Sequence, residues 1–351
     1  MAGAASPLLV ECDVLPGLED FLRLELGRRW GGRVSGLEEL RPGSLRLRLR
    51  GRLADLLTLS TAQAAYLVLE FAGQRPTVLL GHENLQALLR GCGAVLALPP
   101  RRTFASFRLG AAGSGSSTFR RLAAELEART GLRHDPEAGE LLVRVLRSRS
   151  RQGWDVLLRL SPRPLSARRW RVRNLPGALN ATIAAAMVEL TRPRPGDRFV
   201  NLACGSATLL VERLLRAPAR EAVGCDLDPV ALEAARANLE AAGLAGAARL
   251  LRADATDTGL PAAAFDAVVM DPPYGNLVGS HRENEELYPR LLAEAARLTR
   301  PGGGLVVITH EVRLFEASLH GQPGAWRKER EVRVFQGGAH PRIYMLRRFG
   351  G

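Results

Sequence analysis

The chain has 351 residues, of which 46% are apolar and 24% charged, and a formal net charge of +13. This length and composition favour two or three domains with ordinary buried cores and exclude a disordered or fibrous protein. The start, Met1 to Ser6, has no basic cluster, and no segment holds about eighteen apolar residues without charges, so neither secretion nor membrane spanning is expected. Cys12, Cys92, Cys204 and Cys225 are far apart and lack paired metal-ligand spacing, which argues against a metal site or a disulfide framework and for the cytoplasm.

In chain order, the pattern predicts a strand at Leu8 to Asp13 and a helix from the turn Pro16-Gly17 to Arg29. Strands follow at Arg33 to Leu40 and Leu45 to Arg50, then a helix at Asp55 to Ser60 and a strand at Ala64 to Phe71. That order is ferredoxin-like, and residues 1–74 are assigned to such a domain. A helix around Asn84 to Leu98, a strand at Thr103 to Leu109, a Gly/Ser loop opening a helix to Arg129, and a hairpin of Leu141 to Leu146 with Trp154 to Leu160 make a second α+β unit, 75–164. Residues 165–179, with Pro162-Arg163-Pro164 before them, read as a connector.

Charge is unevenly spread. Residues 1–175 hold 28 Arg against 16 acids, a net +12, and the remainder 21 Lys plus Arg against 20 acids, a net +1. Between Leu141 and Arg173 stand ten arginines, among them Arg144, Arg168, Arg169 and Arg171, against the single acid Asp155. Such a block suits phosphates, and no amphipathic helix accompanies it to favour a lipid surface. A solvated basic face is the plainer alternative.

From residue 180 apolar strands alternate with helical segments, which predicts a parallel sheet covered by helices on both faces. Strands are expected at Arg198 to Leu202, Glu221 to Cys225, Ala248 to Leu251, Phe265 to Met270 and Leu305 to Thr309. Helices are expected at Ala181 to Leu190, Ala207 to Arg216, Pro229 to Ala242 and Leu287 to Thr299. Trp326 to Phe335 and Arg342 to Arg348, joined by Gly337-Gly338, should close the sheet as an antiparallel hairpin.

In such a sheet a ligand lies over the carboxyl ends of the strands. The first strand ends in Asn201-Leu202-Ala203-Cys204-Gly205, whose small residues let backbone approach an extended ligand. The second ends in Asp226-Leu227-Asp228; Asp226 can accept both hydroxyls of a ribose, and Asp228 reads as the cap of the helix opening at Pro229. After the third strand comes Asp254-Ala255, where Asp254 can accept an adenine amine or, alternatively, close a turn. The fourth ends in Asp271-Pro272-Pro273-Tyr274-Gly275. There a carboxylate and proline-held carbonyls can accept both N–H groups of an exocyclic amine, while Tyr274 offers a stacking face. A strand stop followed by a turn is the bland reading of the same pentad.

These four ordered motifs resemble the class I S-adenosyl-L-methionine-dependent methyltransferases that carry Asp/Asn-Pro-Pro-aromatic and modify exocyclic amines. Thr103-Phe104, His134-Asp135-Pro136 and Leu165 to Arg171 resemble a THUMP domain joined to such an enzyme. The whole is similar to the bacterial and archaeal THUMP-containing tRNA guanine-N2 methyltransferases, whose substrate is an acceptor-stem guanosine. The resemblance implies a Rossmann-like α/β methyltransferase domain at 180–351, its sheet parallel with a C-terminal antiparallel hairpin, preceded by a ferredoxin-like domain, a THUMP domain at 75–164 and a linker at 165–179.

It further implies S-adenosyl-L-methionine at Asn201, Ala203, Gly205, Asp226, Leu227, Asp254 and Ala255, and catalysis by Asp271, Pro272 and Tyr274. Pro273, Gly275, Asn276 and Arg144, Arg168, Arg169 and Arg171 are expected to meet the substrate, a tRNA or other structured RNA; a monomer is expected. Asn201 stands where the family usually has an acid, and Ala207 replaces a glycine. The alternatives are ribosomal RNA guanine-N2 or adenine-N6 methylation with the same pocket, and a non-catalytic RNA-binding factor that keeps the shape. His281, with Asn276, follows the pentad near the substrate, whereas His310 and His340 read as structural.

Overall fold

The computed structural model describes residues 6–100, 103–273 and 281–349. The chain divides into two compact units, one of residues 1–14 and 22–166, the other of residues 15–21 and 167–351.

The first unit is built on one sheet. β1 (Leu8–Asp13) leads through α1 (Glu19–Trp30) to β2 (Val34–Arg41), β3 (Ser44–Leu49) and β4 (Ala64–Ala72). Then come α2 (His82–Leu96), β5 (Ser106–Ala111), α3 (Ser117–Thr130), the two-residue β6 (Arg133–His134), β7 (Leu141–Arg147) and β8 (Gly153–Arg159). The strand order is β2-β3-β1-β4-β8-β7-β5-β6. Strands on both sides of the boundary expected after residue 74 share one sheet, because β4 pairs with β8 from Tyr66 to Ala72. The helix expected at Asp55 to Ser60 is instead a 3-10 segment, Leu53–Thr58. The buried Glu25 carboxylate accepts hydrogen bonds from the backbone N–H groups of Ser60 and Thr61 and from both hydroxyls, which stops the helix after six residues.

The second unit holds the parallel sheet. Its elements are α4 (Ala181–Thr191), β9 (Arg198–Leu202), α5 (Thr208–Arg216), β10 (Glu221–Asp226), α6 (Pro229–Ala241), β11 (Arg249–Arg252) and β12 (Phe265–Met270). They continue with α7 (His281–Leu298), β13 (Thr299–Thr309), α8 (Val312–His320), β14 (Trp326–Arg333) and β15 (Arg342–Arg348). The order β11-β10-β9-β12-β13-β15-β14 is parallel through β13, and β15 and β14 add antiparallel at the edge. Both strands that flank β9 come later in the chain, one on each side, so the order reverses there and opens a crevice at the strand ends. Val200, Leu202, Val268, Met270, Leu305 and Val307 fill the core on one sheet face with Leu291, Leu292, Ala295 and Phe315 from α7 and α8.

Two elements differ from expectation for local reasons. α7 begins at His281 rather than Leu287, because its first turn and a half, His-Arg-Glu-Asn-Glu-Glu, carries no apolar periodicity to announce it. α8 has only nine residues and buries Phe315 and Ser318. Among the described residues no helix is long and apolar enough to cross a membrane.

Candidate active site

The ends of β9, β10, β11 and β12 open on one cavity of about 710 Å³. Its lining includes every expected cofactor residue, Asn201, Ala203, Gly205, Asp226, Leu227, Asp254 and Ala255, together with Asp271, Pro272 and Pro273. Tyr274, Gly275 and Asn276 lie outside the described residues, as does the His281 side chain.

β9 is the central strand, so Asn201 is 1% exposed, paired across from Gly224 on one side and Val269 on the other. Its amide nitrogen donates to the carbonyls of Leu202 at 3.1 Å and Val269 at 3.3 Å, and its oxygen Oδ1 is buried with no partner among the described residues. An unpaired buried acceptor is costly unless a ligand supplies a donor. An ammonium group is such a donor, so the amide fits the methionine end of S-adenosyl-L-methionine without the charge of an acid.

The loop after β9 reverses tightly, with φ of 47° at Ala203, 51° at Gly205 and 67° at Ala207. An L-residue in that region costs roughly 1–2 kcal/mol, so Ala207 keeps a glycine conformation under strain. What holds the loop is the neighbouring strand. Cys204 N–H bonds the Cys225 carbonyl at 2.8 Å, and Gly205 N–H bonds Asp226 Oδ2 at 2.8 Å. Asp226 Oδ1 accepts the Asp228 N–H at 3.0 Å. Each oxygen keeps a second lone pair for a hydroxyl.

Asp228 caps α6 through the Val230 N–H, as its place before Pro229 predicts, and Asn180 caps α4 through Thr182. Asp254 combines both of its readings: Oδ1 closes a turn on the Thr256 N–H and hydroxyl, each at 2.8 Å, while the residue lines the cavity. Those bonds hold its carboxyl below the usual range, the backbone N–H foremost. Burial pushes the Cys204 thiol well up, so no nucleophilic thiolate lies in the cavity wall.

At the end of β12, Asp271 is half-buried, and loss of solvent pushes its carboxyl up to about 7. Among the described residues, none donates a hydrogen bond to its carboxylate or to the Pro272 carbonyl. Both residues line the cavity, and among the described residues neither acceptor is engaged; a pair of such acceptors is what recognition of an NH2 group requires.

Two features escaped the sequence. One is the connector: residues 167–179 belong to the second unit, and Leu175 to Leu179 line the cavity. Arg171 donates to the Leu179 carbonyl and to Thr208 Oγ1 at 2.7 and 2.8 Å, and Arg168 pairs with Glu212 at 2.7 Å. Asn238, fully buried on α6, accepts from Arg173 N–H and donates to the carbonyls of Arg173 and Ser206, each bond at 2.9–3.0 Å. One amide therefore ties the segment to the loop after β9. Asn238→Ala is expected to cost about 2–3 kcal/mol of stability, read by thermal unfolding, and to weaken cofactor binding in calorimetry. The other feature is Leu287 and Leu291, which line the cavity from α7; their i, i+4 spacing was the available signal.

Part of the arginine block is engaged within the fold. Arg144 donates to Asp13 and to the Tyr66 hydroxyl, and Arg151 to Asp155 and the Phe71 carbonyl. Arg159 donates to the Ser161 and Glu140 carbonyls. Arg168 and Arg171 are committed as described, whereas Arg147, Arg149, Arg163, Arg169 and Arg173 are exposed. Among the described residues no group of His, Cys, Asp and Glu could hold a metal ion.

A parallel sheet with an antiparallel edge, a glycine-bearing loop after its central strand, an acid after the next and Asp-Pro-Pro beyond the switch point define a class I methyltransferase, which uses S-adenosyl-L-methionine. Residues 168–342 match the family described as RMKL-like, methyltransferase domain. The tRNA (guanine(6)-N2)-methyltransferase of Thermus thermophilus is 31% identical over 346 residues, 96% of this chain and 98% of that protein. The chain belongs to this methyltransferase family. The crystal structure of TrmN from Thermus thermophilus superposes with a TM-score of 0.73 at 28% identity, covering 97% of this chain and 100% of that one. A mouse relative, tRNA (guanine(6)-N(2))-methyltransferase THUMP3, is 31% identical over 188 residues; that match spans 49% of this chain and 37% of the mouse protein.

Proposed function

We propose that the protein methylates the exocyclic N2 amine of a guanosine in the acceptor stem of tRNA. The observation that carries this reading is that Asp271 and Pro272, whose carboxylate and carbonyl take no donor among the described residues, line the same cavity as Asn201 and Asp226. The name of the nearly full-length Thermus relative supports guanine at position 6 as the target. Residues 75–164 serve as a THUMP domain for RNA, and the exposed Arg147, Arg149, Arg163, Arg169 and Arg173 meet phosphates. The protein works in the cytoplasm as a monomer.

S-adenosyl-L-methionine, held by Asn201, the loop from Ala203 to Gly205, Asp226 and Asp254, supplies an electrophilic methyl group. The guanine amine is a poor nucleophile because its lone pair is delocalised into the ring. Hydrogen bonds from its two N–H groups to Asp271 and the Pro272 carbonyl localise that pair and stabilise the positive charge growing on nitrogen. The proton leaves after transfer, so no histidine base is needed. Reaching the amine requires the base to leave its stack, at a few kcal/mol.

Because Asp271 must be an anion to accept from the amine, kcat/KM is expected to rise about tenfold per pH unit below about 7 and to level off above about 8. Asp271→Asn removes this limb. A flat profile in the unsubstituted protein would contradict a carboxylate role.

The function is tested by incubating the protein with S-adenosyl-L-methionine and unmodified tRNA, ribosomal RNA or DNA, followed by nucleoside mass spectrometry. N2-methylguanosine in tRNA is expected. Label confined to DNA or ribosomal RNA would overturn the substrate, and the absence of cofactor heat in calorimetry would make the protein a silent RNA-binding factor.

A further inference from the structure

The Asp271-Pro272-Pro273 turn has an unusual mechanical problem. Proline has no N–H, so two successive prolines leave the backbone with carbonyls as its only hydrogen-bonding handles. If the Pro272 carbonyl is to receive the substrate amine, it cannot also anchor the turn. Something must hold the turn through the other carbonyl.

The structure assigns that task to Tyr288, and we infer that it is a positioning residue for methyl transfer, an inference that rests on the function proposed above. Tyr288 lies on α7 between Leu287 and Leu291, the two residues of that helix that line the cavity, and is 1% exposed. Its hydroxyl is 3.3 Å from the Pro273 carbonyl and 2.9 Å from Thr309 Oγ1, at the end of β13; Thr309 Oγ1 in turn lies 3.0 Å from the Glu311 N–H.

The two ends of this chain dictate its direction. A carbonyl can only accept, so the Tyr288 hydroxyl donates to Pro273. A backbone N–H can only donate, so Thr309 Oγ1 accepts from Glu311; with the single Tyr288 proton already directed to Pro273, the Thr309 hydroxyl is the donor to Tyr288. The result is a one-way relay, Glu311 N–H to Thr309 to Tyr288 to the Pro273 carbonyl, in which each bond polarises the next.

The ring is held separately from the hydroxyl. Phe315 meets it edge-on with centroids 6.4 Å apart, and Phe315 itself packs on Tyr344 at 4.7 Å. Loss of the hydroxyl alone should therefore leave the fold and the cofactor cavity intact while freeing the Pro273 peptide plane, and with it the aim of the adjoining Pro272 carbonyl and Asp271. Misplacing a reacting group by about 1 Å costs on the order of a hundredfold in rate.

The experiment compares wild type with Tyr288→Phe, Thr309→Val and the double variant, all as the full chain, by methyl transfer to tRNA and by thermal unfolding. Tyr288→Phe is expected to lower kcat about ten- to hundredfold, with KM for S-adenosyl-L-methionine and for tRNA each changed by less than about twofold. Thr309→Val should lose a similar factor, and the double variant should lose no more than the worse single one, because both interrupt one relay. Thr309→Ser restores a hydroxyl and should recover the rate.

Equal kcat for Tyr288→Phe and wild type would overturn the inference. So would a loss seen only as a higher cofactor KM, or a Thr309→Ser variant as slow as Thr309→Val. Should wild type label a nucleic acid other than tRNA, the proposed substrate falls, and the same comparison on the labelled acceptor still decides the role of Tyr288.

Discussion

Asp271→Ala is expected to slow methyl transfer by at least about a hundred- to a thousandfold while the protein still binds tRNA and S-adenosyl-L-methionine. The reason lies in when the interaction matters. In the ground state the guanine amine is flat and nearly neutral, so an acceptor beside it contributes little to binding; as the new N–C bond forms, the nitrogen becomes pyramidal and positive. A carboxylate with no competing donor among the described residues, partly withdrawn from water, is then opposite a growing cation. Only interactions stronger in the transition state raise kcat, so the loss should fall on kcat and leave KM near wild type. Single-turnover kinetics with labelled cofactor and filter binding of tRNA measure the two separately. Wild-type turnover in Asp271→Ala would remove Asp271 from the mechanism, and a parallel loss of tRNA affinity would recast it as a binding residue.

Asp226→Ala should fail in a different way, by raising the dissociation constant for S-adenosyl-L-methionine about thirtyfold or more, the equivalent of one or two hydrogen bonds to a charged group. The same carboxylate holds the Gly205 and Asp228 N–H groups, so a stability loss of roughly 1–3 kcal/mol accompanies it. Those two effects are linked: the loop that would cradle the cofactor already contains strained alanines at 203 and 207, and without the Asp226 carboxylate the Gly205 N–H loses its acceptor. Calorimetry with the cofactor, thermal unfolding and tRNA binding separate the terms. An unchanged cofactor constant in a folded Asp226→Ala protein would exclude the ribose role.

How much of this could be read beforehand varies with the range of the interaction. β9 and β12 occupy the predicted residues, Arg198–Leu202 and Phe265–Met270, because runs of Val, Phe, Leu and Met between turn residues announce buried strands without outside help. Asp228 was readable as a cap because a cap bonds two residues ahead. Residues 167–179 have no period, and their place in the cavity wall depends on Asn238, which meets Arg173 from 65 positions away. Arg144 read as a substrate contact, and its ion pair with Asp13, 131 positions earlier, could not be read from the chain. Tyr288 falls in the helix expected at Leu287 to Thr299, and nothing local marks its hydroxyl as a partner of the Pro273 carbonyl.

The order of strands and helices, their caps, and the acids and small residues at the strand ends were decided by the chain alone, since backbone preference and apolar period act over a few neighbours. Which arginines are spent, which segment walls the cavity and which acceptors stay unpaired were decided only by tertiary structure. Those properties depend on burial and on hydrogen-bond partners that meet across tens of residues, and a donor's availability is set by whoever reaches it first in space.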